Sequence, residues 1–186
     1  MPDFLVRDML RMRTSPKLRL AARFEVGSSS REGTKVELVL TICNEGRVSA
    51  RYPYISVGQE RGGAWDEIAP FSGRLTARRR FFEASAINIH PDLSFDPAKL
   101  VLVAKKENGG EARFAYRNYG EVKKCIDTDL ILNVEIGCQD MPAQRVQVSI
   151  PAGTFEDAVD RVLAGQRRVE VDPVHIKEVD KDVQLV

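Results

Sequence analysis

The stretch "NIHPDLSFD" places His90 beside Asp92 and Asp96. An imidazole next to carboxylates can move protons or hold a metal ion. The same residues also make an ordinary strand exit, in which His-Pro-Asp satisfies loose backbone groups. We favour the strand exit. His175 has no evident partner in sequence, and neither histidine stands in an H-x-x-x-H or H-E-x-x-H pattern. Metal chemistry, and a metal-dependent or hydrolytic enzyme built around His90, Asp92 and Asp96, is therefore an alternative and not the leading reading.

Nucleophilic chemistry has even less to stand on. A nucleophile needs a base positioned beside it. The chain has no G-x-S-x-G, and the thiol of Cys43 precedes Asn44 and Glu45 with no local group to activate it. There is no phosphate-cradling P-loop and no G-x-G-x-x-G. Catalytic residues, metals and cofactors are accordingly not assigned.

Two patterns could bind rather than react. "RLTARRRFF" sets Arg74, Arg78, Arg79 and Arg80 beside Phe81 and Phe82. Arginine with aromatic rings can hold phosphate and stack on bases. On a strand, however, Arg78 and Arg80 face one way and Arg79 the other, so the run is not one patch. A protein contact or a solvated sheet face is preferred to a nucleic-acid-binding accessory role. The second pattern is aromatic: Tyr52, Tyr54 and Trp65, the last in "RGGAWDEI". Such rings either anchor partners or pack over sandwich ends. The expected binding residues are Tyr52, Tyr54, Trp65, Arg78, Arg80 and Phe82, with aromatic anchors inside an arginine rim.

The elements that must carry these residues are written in period-two alternation. Leu18, Leu20, Ala22, Phe24 and Val26 share a face, as do Val36, Leu38, Leu40 and Ile42. Asn44 and Gly46 tolerate positive φ and suit a tight connection. Ala50, Tyr52 and Tyr54 continue on even positions, then Ile55 and Val57 on odd ones, which predicts a bulge or kink beside Pro53. Leu100, Leu102 and Ala104 alternate with Val101 and Val103, a strand covered on both faces. Leu130, Leu132, Val134, Ile136 and Cys138 form another inward face, and Val146, Val148 and Ile150 close the series.

The prediction is an all-β, Ig-like antiparallel sandwich of about seven to nine strands over residues 16–151. A helical lead over 1–15 precedes it, with Leu5, Met9 and Met12 on one side of Pro2 to Arg13. Residues 152–186 follow as a helix and a charged tail. In "TFEDAVDRVLAG", Thr154 is the expected cap with Asp157 at the capping-box spacing, and Gly165 is the stop. The tail is either mobile or an added edge strand.

Bulk properties agree with a folded module. The 186 residues are 43% hydrophobic and 30% charged, with net charge +1, which argues against a nucleic-acid binder that works through overall charge. No apolar run approaches the roughly 20 residues of a membrane span. "MPDFLVRDMLRMRTSP" breaks its apolar residues with Asp and Arg, so a signal peptide is not expected. Cys43, Cys125 and Cys138 are scattered and odd in number, without C-x-x-C, as in a cytoplasmic protein with reduced thiols.

"VELVLTICNEGRVSARYPYISV" resembles Ig-like bacterial modules in which a strand, N-x-G and an Ala-containing next strand recur. "AINIHPDLSF" and "LILNVEIGCQDMPAQRVQVSIP" are similar to the C-terminal sandwich that follows Schlafen AlbA-type DNA-binding domains in bacteria. The resemblance covers roughly residues 16–151. It implies a non-catalytic accessory module. The partner expected for the chain is another protein. The AlbA-type part itself is not visible in this chain, so neither DNA nor ATP binding carries over, and no family functional residue maps onto a numbered position.

Overall fold

The computed structural model describes residues 15–31, 33–58, 65–75, 79–84, 87–106, 112–118, 121–125, 129–171 and 174–178. The expected helix over Pro2 to Arg13, and Arg78, lie outside them. In chain order the strands are β1 (Leu18–Ser30), β2 (Gly33–Asn44), β3 (Ala50–Arg51), β4 (Tyr54–Gly58) and β5 (Trp65–Glu67). Next come β6 (Ser72–Leu75), β7 (Arg79–Glu83), β8 (Asn88–Ile89), β9 (Ser94–Lys106) and β10 (Ala112–Asn118). The remainder are β11 (Glu121–Cys125), β12 (Leu130–Cys138), β13 (Met141–Ile150), helix α1 (Ala152–Leu163), β14 (Arg168–Val171) and β15 (Val174–Glu178).

The chain is mostly antiparallel β, arranged as a sandwich. Sheet A has the order β11-β10-β9-β2-β1-β14, with β5 also paired to β9; sheet B has the order β15-β13-β12-β4-β7-β6. A short ribbon, β3 with β8, bridges them at one end. The described residues hold fifteen strands where the alternation predicts seven to nine. The surplus is physical. β3, β5 and β8 are only two or three residues long, too short to show a period, and the tail contributes β14 and β15 as edge strands.

The alternating faces of β1, β2, β9 and β12 all turn into one apolar core. Val101 and Val103 of β9 are buried on the opposite face too, as their continuous apolar writing predicts. The rings of Phe24 on β1 and Phe114 on β10 stack with centroids 4.8 Å apart. β2 and β9 lie between those strands, a flat span of about 14 Å. Sheet A therefore curls, and α1 packs against both β10 and β14 across the open side of the curl.

α1 buries Ala158, Val159 and Val162, the stripe expected from its 3.6-residue period. Its start differs from the local reading. The helix begins at Ala152 behind Pro151, not at Thr154, and no side chain at the N-cap bonds the first turn. Asp129, just before β12, accepts the Ala152 N–H at 2.9 Å instead. The C-terminus stops as expected: Gly165 takes φ 97°, and Gly165 and Gln166 donate back to the carbonyls of Val162 and Arg161.

Candidate interaction surface

Asn44, the last residue of β2, builds one end of the sandwich. It is 1% exposed, and all four of its side-chain hydrogen-bonding positions are used. Nδ2 donates to the carbonyls of Val48 and Ile89, each at 2.8 Å. Oδ1 accepts from Gly46 N–H at 3.0 Å and Lys17 N–H at 3.3 Å. Its backbone N–H donates to Leu93 O, and its carbonyl accepts from Asp92 N–H. One residue thus ties the lead into β1, the β2–β3 loop, β8 and the turn before β9.

The conformational role expected of Asn44 and Gly46 is corrected here. Neither has positive φ. Gly46 is needed for space: a Cβ there would stand 2.5 Å from Lys17 N and 3.0 Å from Asn44 Oδ1. Positive φ falls instead on Tyr52, at 50°, and Asp92, at 60°, both at this same end. Asp92 belongs to a type that tolerates the left-handed region, whereas a bulky ring there is strained. The switch of parity near Pro53 is the break between β3 and β4, where the chain leaves the ribbon for sheet B.

Among the described residues, two of the three large apolar side chains that are exposed lie on this end, Tyr52 at 51% and Leu93 at 50%. Arg51 pairs with Asp140 at 2.9 Å beside Tyr52. His90 is exposed, and its Nδ1 lies 2.7 Å from Ser49 Oγ. The third exposed apolar side chain, Ile131, lies elsewhere, on the outer face of β12. Leu93 carries no sequence signal of its own. It follows a turn and matches neither face of a recognisable period.

The expected binding residues are not brought together. Trp65 is corrected from partner anchor to core residue: it is 4% exposed, paired with Leu100 of β9. Phe82, 0% exposed, is likewise interior. Tyr54 lies flat over Gly137, where an added Cβ would meet its ring at 2.7 Å, and its hydroxyl points to Glu135 at 3.4 Å. Burial, then the Glu135 charge, pushes the Tyr54 hydroxyl up. Arg80 is opposite Val57, five residues along from Tyr52, or about 16 Å.

Comparison with protein-family models, curated proteins and solved structures finds no match to this chain.

The arginine run at the far end of β4 splits three ways. Arg79 donates to Ser56 Oγ at 2.9 Å, Ser56 O at 3.0 Å and Asn133 O at 3.1 Å. Gly58, its register partner, carries no side chain to obstruct that reach across β4. Arg80 lies over the Phe82 ring at 6.0 Å, and Arg74 over Phe81 at 5.2 Å, with Glu83 at 3.6 Å.

Asp96 is also removed from His90. A register shift in β9 between the partners of Leu40 and Ile42 sets Asp96 beside Arg23 and Thr41. Arg23 binds it bidentately, through Nη1 at 2.9 Å and Nη2 at 2.5 Å, and Thr41 Oγ1 donates at 2.6 Å. Burial opposes ionisation of Asp96, but the bonds from Arg23 and Thr41 outweigh it and hold the carboxyl below its ordinary value. Glu37 is held low in the same way, against burial, by Lys35 at 2.7 Å and Lys99 at 2.9 Å. Among the described residues no group of three or more His, Cys, Asp or Glu is placed to hold a metal ion, and no helix is long and apolar enough to cross a membrane. Cys43 and Cys138 are free thiols, both pushed up by burial.

Proposed function

We propose that this chain is a non-catalytic, Ig-like β-sandwich module of a bacterial cytoplasmic protein, and that its β3–β8 end docks another protein. The observation that carries the reading is Tyr52. A half-exposed aromatic residue is held in the left-handed region, and strain of this kind concentrates at clamps and binding sites. The Asn44 hydrogen bonds make the platform under it rigid, which lowers the ordering cost of binding. The resemblance to an accessory sandwich points the same way.

The test is capture of partners from source-cell cytosol by the full chain, washed at low and high salt, with protein and nucleic acid both identified. A stoichiometric protein that survives salt, is lost from the Tyr52→Ala, Leu93→Ser double variant and is kept by Ile131→Ser supports the reading. Equal capture by all three chains sinks it. Nucleic acid recovered only at low salt would move the arginine run forward, because phosphate contacts are screened.

A further inference from the structure

We propose that the outer face of the β3–β8 ribbon holds the phosphate of a phosphorylated serine or threonine on the partner protein. The inference deepens the reading above by naming what this end recognises, and it rests on that reading for the partner.

The ribbon has two faces. Ala50 stands opposite Ile89, and both are buried in the core. Arg51 stands opposite Asn88, and Ser49 and His90 extend the same ladder by one residue each. Alternation puts these four polar side chains together on the outer face. Arg51, Asn88 and His90 are exposed, and Ser49 is partly buried. Their Cβ atoms lie within about 8 Å of one another, a span that one phosphate and its hydrogen bonds fill. Asn44 bonds the carbonyls of Val48 and Ile89, next to Ser49 and His90, so the face is held in place before a ligand arrives.

The groups left over on that face are donors. Asp140 accepts from Arg51 Nε at 2.9 Å; among the described residues nothing takes the two Nη groups or the Asn88 amide. The Ser49–His90 bond spends one donor and leaves another. If the hydroxyl donates to Nδ1, the Nε2–H is free; if the Nδ1–H donates to the hydroxyl oxygen, the Ser49 O–H is free. A phosphate uses such a set, because its three terminal oxygens accept from several directions, whereas a carboxylate offers one planar edge. The charge balance also favours an anion. Asp140 offsets Arg51 and orients its fork, Glu45 is paired with Lys17 and Arg19, and Asp92 is exposed two residues beyond His90. Arg47 is exposed two residues before Ser49, and among the described residues it forms no ion pair. The cations Lys17, Arg19, Arg47 and Arg51 thus outnumber the carboxylates Glu45, Asp92 and Asp140 by one.

The experiment titrates the isotope-labelled full chain with N-acetyl-phosphothreonine methylamide and follows the backbone amides by NMR. The expected result is a saturable shift centred on Ser49 to Arg51 and Asn88 to His90. The unphosphorylated threonine amide should give none, and N-acetyl-glutamate methylamide should bind several-fold more weakly. Arg51→Gln should weaken the phosphothreonine probe about tenfold, the loss of charge-assisted hydrogen bonding. Arg168→Ala, on β14, should leave it unchanged. No shift at the ribbon, equal binding of the glutamate probe, or equal effects of the two variants overturns the proposal. Phosphatase treatment of the cytosol used for capture separates this proposal from the reading it rests on. Loss of the captured protein supports the phosphate site. Capture that survives the treatment overturns it and leaves the docking reading intact. Ribbon shifts with no protein captured support the phosphate site and count against the docking reading alone.

Discussion

At the Tyr54 end of β4 a buried amide holds the loops together while Tyr52 and Leu93 face water. Toward the Gly58 end the opposite holds: Arg79 lies on the backbone carbonyls of Ser56 and Asn133, and Arg80, opposite Val57, lies over a ring. Residue type alone favours the arginine end, because an arginine run beside aromatics looks like a binding site. What decides is whether local groups already satisfy one another. Arg79 spends its donors on Ser56 and Asn133, whereas nothing in the Asn44 cluster uses the Tyr52 ring.

The sharpest way to break this contrast is Asn44→Ala. It removes the donor to two carbonyls and the acceptor of two N–H groups. With about 1–3 kcal/mol for each buried group left unpaired, we expect a loss of about 3 kcal/mol or more. Urea denaturation measures it. A loss under about 1 kcal/mol would mean that water replaces the amide and that the platform is not rigid.

At the other end, Arg79→Ala should cost about 2 kcal/mol, since charged hydrogen bonds to half-buried acceptors are lost. Arg74→Ala should stay within about 0.5 kcal/mol, as exposed pairs usually do. Thermal melts of the two variants side by side test the claim that the run is divided. Equal small effects would mean that Arg79 is as solvated as Arg74 and that the run is not divided.

The contrast also explains what could be read from sequence. The long alternating runs of β1, β2, β9 and β12 were legible because each repeats one face many times over. Trp65 was not: its strand has three residues, and only the register with Leu100 reveals which way it turns. Asn44 announces a turn by type, but its partners Lys17 and Ile89 lie 27 and 45 residues away. The α1 cap failed for the same reason. Thr154 is the local choice, and Asp129 arrives from 23 residues upstream. Long-range hydrogen bonds leave no periodic trace.

A smaller effect lies in acid. Asp96 and Glu37 are both lower in the folded chain than in the unfolded one. Each contributes stability that is fully present above its unfolded value, near 4, and is lost as pH falls through the folded value. Stability should thus decline on acidification below about pH 4, and Asp96→Asn should flatten that decline. Denaturation midpoints across the range check it. An unchanged slope would mean that the Arg23 pair does not form in solution, and sheet A would lose its cover of paired charges.

The smallest expected effect on stability is the most telling for function. Tyr52→Gly should relieve left-handed strain worth about 1 kcal/mol. It adds unfolded-state freedom of similar size, so the two nearly cancel. The ring is half exposed and contributes little packing to lose. We therefore expect denaturation midpoints close to wild type alongside weakened partner capture. That combination would separate Tyr52 from Asn44, one residue serving contact and the other the platform. If Tyr52→Gly destabilised the chain as Asn44→Ala does, the ring would be part of the fold, and the difference between the two ends of β4 would vanish.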